Sequence, residues 1–348
     1  MTEIAAPAPT ASSGAACHPP LTALDPAEVL ADRDGCEALA GLVERLRAVG
    51  YDGRPVPPAS PAGAPGRSND TTISTLVALA RRAPVAEQEL ISALGADPVD
   101  ALVRCGVLDR HDGQLALTAT IFPMRSVYTV LPGPAPGLDT VYMGPDSLTL
   151  FELVWAAHGY GDRAVDLATG NGFLAAAMAT RYDHVIAADL SRRCVATAGL
   201  VPVVNPHLRT RFSAVQLDVA DGLEAGAFDL VTGNPPWVPE TVGPDGGPPR
   251  RFAAGGPTGF ELPRRFLDAA ADLLAPQGRA FIACLDIEFA DGRRPLVDHI
   301  PRLEVRGLEV HVVETRLNQA FDYTSWARRK VPDVTSTRHV VVRMCRPA

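Results

Sequence analysis

The chain has 348 residues, of which 47% are apolar and 21% charged, and its formal net charge is −8. This size and composition fit a globular protein of two domains, and no apolar run approaches the roughly 18 residues that cross a bilayer. The acidic balance and the six scattered cysteines, which form no CxxC pair, argue against a nucleic-acid partner, a zinc site and a disulfide framework, and they favour the cytoplasm.

The N-terminal part predicts a disordered tail and a small domain. Residues 1–24 are rich in Ala, Pro and Ser and lack the basic and apolar regions of a secretory signal. Residues 25–135 predict a mostly helical, winged-helix-like domain, interrupted by a Pro/Gly/Ser-rich linker at about 53–70. After the linker, three short helical segments and a strand pair follow each other in the order of a winged helix.

A winged helix reads nucleic acid through its third helix. Here that helix offers only Arg104, with Arg110 just beyond it. We therefore favour a module that serves packing, dimerisation or the covering of an active site, and we expect it to lie over the substrate side of the next domain. Docking of nucleic acid stays open as the alternative.

From residue 140 to 348 the pattern changes to short apolar strands separated by helical stretches, as is typical of a doubly wound sheet. Two last strands, at 307–316 and 338–344, are expected to form an antiparallel pair at the sheet edge. The segment between them is polar and aromatic and does not resemble a compact crossover helix. The prediction is an α/β fold, a Rossmann-like domain of seven strands.

The first strand of this domain runs into the stretch DLATGNGF. Its glycines allow a tight turn and let a ligand come close to a helix N-terminus. The spacing Gly170-x-Gly172-x-x-Ala175 also fits a dinucleotide site, so this stretch alone leaves the ligand open. The residues assigned to the ligand site are Asp166, Ala168, Thr169, Gly170, Gly172 and Phe173.

The next two strands also end in acidic residues. Asp189 ends the second strand, where a carboxylate can accept both hydroxyls of a ribose. Asp218 ends the third strand, where it or a neighbouring amide can meet an adenine. Successive strands that end in aspartate favour an adenosine-bearing ligand across the carboxyl edge of the sheet. Leu190 and Val219 directly follow these acids and are assigned to the same site.

The fourth strand ends in the loop Asn234-Pro235-Pro236-Trp237. Proline cannot donate to a sheet ladder, so the strand must end there. The side-chain oxygen of Asn234 and the carbonyl of Pro235 can accept hydrogen bonds from a planar substrate nitrogen and turn its lone pair toward an electrophile. The prolines keep both acceptors rigid, and Trp237 can stack on a flat substrate.

Together these motifs resemble the class I S-adenosylmethionine-dependent methyltransferases over roughly residues 140–346. NPPW is similar to the (Asn/Asp/Ser)-Pro-Pro-aromatic motif of amino-methyltransferases, which modify exocyclic amines of nucleic-acid bases or the glutamine amide of release factors. The resemblance implies S-adenosylmethionine as the cofactor, catalytic roles for residues 234–237, and contact of Asn234 with the cofactor as well. It also implies that Asp146 and Ser147, in GPDSLTLFEL, belong to an upstream segment that closes over the cofactor.

The acceptor is left open by this resemblance. A small planar metabolite, a protein glutamine and a nucleic-acid base all suit the loop. The acidic charge counts against nucleic acid, and the upstream segment lacks the Arg and Glu pair of the release-factor type. We therefore expect a small-molecule acceptor, as in natural product biosynthesis, with no metal and no membrane partner, and we keep a homodimer open. An enzyme that consumes S-adenosylmethionine without methylating is a further alternative.

Overall fold

The computed structural model describes residues 24–51, 71–133, 140–157, 159–240 and 247–347. The tail predicted at 1–24, apart from Leu24, and the linker predicted at 53–70 lie outside the described residues. No helix in the described ranges is long and apolar enough to cross a membrane.

The N-terminal region forms a helical module with two small sheets. Its helices are α1 (Pro26–Ala31), α2 (Arg33–Ala48), α3 (Thr71–Ala80), α4 (Glu87–Leu94) and α5 (Ala96–Arg104). Its strands are β1 (Val85–Ala86), β2 (Leu108–His111), β3 (Gln114–Leu117), β4 (Ala119–Met124) and β5 (Val127–Pro132). Strand β3 lies between β1 and β2, and β4 pairs with β5. The order from α3 to β3 is that of a winged helix, to which β4 and β5 add a hairpin.

Local sequence signals account for these elements. Helix α2 begins after Asp32, whose carboxylate accepts a hydrogen bond from the N–H of Gly35 at 3.0 Å. The buried stripe of α2 repeats at helical spacing and includes Leu39, Leu42, Val43 and Leu46. The β2–β3 hairpin turns at Asp112 and Gly113, which both have positive φ, as a two-residue type I′ turn requires.

The C-terminal region is an α/β domain. Its helices are α6 (Pro145–Ala157), α7 (Phe173–Met178), α8 (Arg192–Gly199), α9 (Val201–Val204), α10 (Glu261–Leu273), α11 (Pro295–Glu304), α12 (Leu317–Ala320) and α13 (Tyr323–Arg328). Its main strands are β6 (Gly161–Leu167), β7 (Tyr182–Asp189), β8 (Phe212–Gln216), β9 (Phe228–Gly233), β12 (Leu274–Phe289), β13 (Glu309–Glu314) and β14 (Val334–Cys345). The short strands β10 (Val238–Pro239) and β11 (Ala254–Gly256) pair beyond β9.

The seven main strands form one sheet in the order β13-β14-β12-β9-β6-β7-β8. Only β14 runs against its neighbours, pairing antiparallel with both β12 and β13. Apolar cores lie on both faces of the sheet: neighbouring β6 residues such as Ala164 and Val165 belong to opposite cores. The predicted Rossmann-like, seven-stranded α/β fold is confirmed, as is the antiparallel pair at the edge.

The module packs against helices α7, α8 and α9 of the α/β domain. Leu200 and Val204 belong to the same apolar core as α2 and α5. Asn205, which is buried, pairs with Tyr128 of β5 through hydrogen bonds of 2.7 and 2.8 Å. The module therefore lies behind the glycine turn, because α7 is the helix that follows that turn.

The third helix of the winged-helix order, α5, does not present a free cationic face. It packs against α2 through Val99 and Leu102. Arg104 lies 3.1 Å from a carboxylate oxygen of Asp32 and 3.5 Å from one of Asp34. Arg110 is likewise paired, at 2.8 Å with Glu87 and at 2.6 Å with Asp100. The two arginines singled out from the sequence are thus both neutralised within the module.

Candidate active site

A cleft lies at the edge of the sheet where β6, β7, β8 and β9 end. Twelve of the residues assigned from the sequence line it: Ser147, Asp166, Ala168, Thr169, Gly170, Phe173, Asp189, Leu190, Asp218, Val219, Asn234 and Pro236. None of the described residues of the module, 24–51 and 71–133, lines this cleft. The apolar surface of the module packs against α8 and α9. That the module covers the substrate side stays a prediction.

The glycine turn brings backbone close to the cleft. Gly170 and Gly172 both have positive φ, and a Cβ on Gly170 would come within 3.0 Å of the Tyr142 carbonyl oxygen. Gly172 lies away from the cleft lining; a Cβ there would come within 3.0 Å of Ala198 and Val201. Gly170 therefore shapes the cleft, and Gly172 allows α7 to pack closely on α8 and α9.

Asp166 is buried at the end of β6. Its two carboxylate oxygens accept hydrogen bonds from the hydroxyls of Thr169, at 2.6 Å, and Thr232, at 2.7 Å. Burial raises the pKa of Asp166 to about 6, although these hydroxyls favour the charged form. The cleft thus contains a carboxyl group that titrates near neutral pH.

The two acids at the tips of β7 and β8 are held differently. Asp189 accepts hydrogen bonds from the backbone N–H groups of Gly170 and Ser191, both at 2.9 Å, and these bonds fix the carboxylate beside the glycine turn. Asp218 lies 3.0 Å from the guanidinium of Arg265, which also lines the cleft. Arg265 lies on α10 outside any motif, so the sequence analysis missed it.

Asn234 is held by its amide nitrogen. Its Nδ2 donates to Asp146 Oδ2 at 2.9 Å and to Ser147 Oγ at 3.1 Å. Because a carboxylate only accepts hydrogen bonds, this contact fixes which way the amide points. Asn234 Oδ1 is buried and accepts no hydrogen bond from the described part of the chain. The site therefore presents one oriented, unsatisfied acceptor.

Asp146 does not line the cleft but connects Asn234 to its surroundings. It is buried, and its Oδ1 accepts a hydrogen bond from the Tyr142 hydroxyl at 2.8 Å. Burial, with the nearby charge of Asp146, raises the pKa of Tyr142 above its usual range. Tyr142 in turn stacks on Phe252, with ring centroids 5.8 Å apart and planes 13° apart. The chain Tyr142–Asp146–Asn234 thus orients the amide.

Two of the loop residues, Pro235 and Trp237, lie off the cleft. Pro235 is buried, and Trp237 points toward a group of rings from the C-terminal strands and helices. We call this group the aromatic wall; its members are Trp237, Phe321, Tyr323, Trp326 and His339. His339 carries no sequence motif and was missed by the sequence analysis. The loop therefore separates the cleft from the aromatic wall.

Comparisons with known proteins show similarity to methyltransferases. Residues 147–243 match the family model described as methyltransferase small domain. Ribosomal protein uL3 glutamine methyltransferase of Bordetella pertussis is 33% identical over 126 residues, or 34% of this chain and 41% of that protein. Release factor glutamine methyltransferase of Rhodospirillum rubrum is 34% identical over 185 residues, or 50% of this chain and 54% of that protein. The chain spans about half or less of the length of these relatives.

The chain is also similar in fold to solved structures. Geranyl diphosphate methyltransferase in complex with GPP and sinefungin has 12% identity and a TM-score of 0.40, over 58% of this chain and 76% of that chain. The tRNA m1G37 methyltransferase of M. jannaschii has 15% identity and a TM-score of 0.43, over 67% of this chain and 60% of that chain.

The α/β domain thus contains a match to the methyltransferase small domain at residues 147–243, and this similarity supports S-adenosylmethionine as its cofactor. The family model and the curated relatives confirm the predicted resemblance. Within that class, the chain is similar to glutamine methyltransferases.

Proposed function

We propose that this protein transfers a methyl group from S-adenosylmethionine to a planar nitrogen that binds at Asn234, in a small-molecule acceptor. The observation that carries the proposal is the buried Oδ1 of Asn234, which accepts no hydrogen bond from the described residues. An unsatisfied buried acceptor costs about 1–3 kcal/mol. An N–H group of the acceptor substrate would satisfy this oxygen.

The cleft residues fit the cofactor. The Asp189 carboxylate is fixed beside the glycine turn by two N–H groups, at the strand end where a carboxylate can accept ribose hydroxyls. Gly170 lines the cleft and lets its backbone lie close to the Tyr142 carbonyl oxygen, which a Cβ would approach within 3.0 Å. Asp218 and Val219 are assigned to the adenine, and Asp166 adds negative charge to a cleft that receives a cation. When bound, the cofactor supplies an electrophilic methyl group on a sulfonium.

The protein's own contribution is to orient the acceptor nitrogen. A conjugated nitrogen shares its lone pair with a ring or carbonyl and is therefore a poor nucleophile. Asn234 Oδ1 and the Pro235 carbonyl would accept its N–H groups and turn the lone pair toward the methyl group. Asp146 and Ser147 keep the amide in that orientation. The proton leaves readily after transfer, so no strong base is required.

Substitution of Asn234 tests this role. Asn234→Ala should abolish transfer of labelled methyl groups into fractionated cell extract and leave cofactor affinity nearly unchanged, since the contact is made mainly in the transition state. Thr149→Ala, at a partly exposed position of α6, is the control and should behave like the wild type. Absence of cofactor binding by calorimetry, or normal turnover of the Asn234 variant, would contradict the proposal.

A protein glutamine is the second candidate acceptor. It is favoured by the similarity to the two relatives, whose names state that they are glutamine methyltransferases. A glutamine side chain is also planar and carries two N–H groups. The same labelling experiment distinguishes the two candidate acceptors. Label in the small-molecule fraction supports the small-molecule acceptor, and label in the protein fraction supports the protein glutamine.

A further inference from the structure

The β4–β5 hairpin of the module faces the glycine turn. Phe122 of β4 and Thr129 of β5 lie directly opposite each other in this antiparallel pair, so their side chains are on the same side of the hairpin. The Thr129 hydroxyl lies 3.3 Å from Asn171 Nδ2. The rings of Phe122 and Phe173 meet edge to face, with centroids 5.7 Å apart. One cross-strand pair of the module therefore contacts the residues on both sides of Gly172.

Asn171 is a buried residue that lines the cleft, and its amide is oriented. Its Nδ2 donates to the Thr129 hydroxyl and, at 3.6 Å, to the sulfur of Met143. Because a thioether only accepts hydrogen bonds, the contact with Met143 fixes the nitrogen as the amide atom that faces the module. Met143 precedes α6 and also lines the cleft. Asn171 thus joins the module, the glycine turn and the segment before α6.

The glycine turn also carries the group that fixes Asp189. The N–H of Gly170, next to Asn171 in the chain, donates to the Asp189 carboxylate at 2.9 Å. Gly170 and Gly172 both have positive φ, and glycine restricts the backbone least, so the shape of the turn depends on contacts from outside it. Thr129, which is fully buried and lies 42 positions earlier in the chain, makes such a contact.

We infer that Thr129, with Phe122 beside it, is a positioning residue for S-adenosylmethionine: acting through Asn171, it holds the glycine turn in the conformation that binds the cofactor. Thr129 itself does not line the cleft. The inference rests on the proposed function for the identity of the cofactor. Without the hydroxyl, the turn occupies the binding conformation for only part of the time, and the cofactor Kd rises by the inverse of that fraction. The module thereby serves the reaction without docking nucleic acid.

Calorimetric titration of the full chain with S-adenosylmethionine tests this role. Thr129→Val keeps the shape of the side chain but lacks the hydroxyl, and it should raise the cofactor Kd about fivefold, as the loss of one neutral hydrogen bond allows. Thr129→Ser restores the hydroxyl and should return the Kd close to the wild-type value. In an Asn171→Ala background, Thr129→Val should cause no further increase, because the two residues act as one pair.

Thr118→Val is the matched control. Thr118 is another buried threonine of the module, and its hydroxyl donates to the Gly106 carbonyl at 2.7 Å, away from the cleft lining. In urea denaturation both valine variants should be less stable than the wild type, because each loses a buried hydrogen bond. Only Thr129→Val should change the cofactor Kd.

The inference is overturned if Thr129→Val binds the cofactor as tightly as the wild type does. It is also overturned if Thr118→Val raises the Kd equally, since the effect would then follow from lost stability alone. If circular dichroism shows that Thr129→Val does not fold, Phe122→Leu carries the test: it weakens the ring contact with Phe173 and should raise the Kd, and an unchanged Kd overturns the inference. A wild-type chain that binds no cofactor would contradict the proposed function as well.

Discussion

Asn205 forms hydrogen bonds with both the backbone N–H and the backbone C=O of Tyr128. Its Oδ1 accepts from the Tyr128 N–H at 2.8 Å, and its Nδ2 donates to the Tyr128 carbonyl at 2.7 Å. The side chain thus takes the place of a neighbouring strand for β5, and it does so in a fully buried position. Nearby, the Asn171 amide donates to the Thr129 hydroxyl at 3.3 Å. The module and the glycine turn are therefore parts of one packed unit.

Asn205→Ala is expected to destabilise the whole chain. It removes the hydrogen bonds that Asn205 makes with the buried N–H and C=O of Tyr128, at about 1–3 kcal/mol each. Urea denaturation should show a loss of about 2–5 kcal/mol, with Gln88→Ala, at an exposed helical position, as the unaffected control. A chain that lacks residues 1–131 should for the same reason fail to bind cofactor. Full binding by that truncated chain would show that the module is separable.

Glu240 is expected to make the stability of the folded protein depend on pH in the acidic range. Its buried side chain is bound by Arg250 and by Lys330, the only lysine of the chain. Burial raises the pKa of Glu240, but these hydrogen bonds outweigh it and lower the pKa to about 2, from 4.5. Ionised Glu240 therefore stabilises the folded protein by about 3 kcal/mol. This stabilisation is complete above pH 4.5 and is lost as the pH falls toward 2.

Denaturation midpoints between pH 2.5 and 6 measure this effect. Glu240→Gln should flatten the dependence in that window and should lower stability at pH 7 by about 2 kcal/mol, because Arg250 and Lys330 lose their partner but remain partly hydrated. Glu152→Gln, at an exposed position, should leave the dependence unchanged. If the denaturation midpoint of Glu240→Gln falls between pH 6 and 2.5 as it does in the wild type, another group causes the pH dependence.

Cofactor binding should release protons near pH 6. The pKa of Asp166 is raised to about 6 in the free protein, so part of this carboxyl is protonated there. A bound sulfonium favours the charged form and lowers that pKa, which expels the proton. Calorimetry in two buffers of different ionisation heat should show release at pH 6 and none at pH 8. Release that persists in Asp166→Asn would exclude Asp166 as the source.

Ala168→Gly is expected to stabilise the protein. Ala168 has a φ of 55°, a left-handed conformation that costs a residue with a side chain about 1–2 kcal/mol. Glycine relieves this cost but loses some chain entropy, so a net gain of up to about 1 kcal/mol should appear in urea denaturation. Ala78→Gly, inside helix α3, should lower stability by about 1 kcal/mol. Equal losses in both variants would mean that Ala168 is unstrained.

Binding to RNA or DNA is expected to be weak and only slightly salt-dependent. Each phosphate neutralised adds about 0.9 to the salt slope, and Arg104 and Arg110 already pair with carboxylates of the module. Titration of the full chain with labelled duplexes at several salt concentrations checks this. A steep slope that is reduced in Arg104→Ala would favour the nucleic-acid alternative.

The cleft residues at strand ends could be predicted because parallel strands bring their carboxyl ends to one edge of the sheet. Asp189 and Asn234 follow this rule. The role of Asp146 could not be predicted, since its contact with Asn234 spans 88 positions and carries no motif. His339 reaches the aromatic wall only because β14 inserts beside β12, opposite Leu285. The direction of Trp237 depends on the rings around it, which lie far along the chain.

The insertion of β14 between β12 and β13 also sets an order of assembly during synthesis. Among the described strands, β13 pairs only with β14, so it cannot join the sheet until residues 334–345 have left the ribosome. The residues that line the cleft lie between 140 and 266 and emerge earlier. A nascent chain would therefore complete its cofactor cleft before it contains His339, and it would gain the aromatic wall only as synthesis of β14 ends.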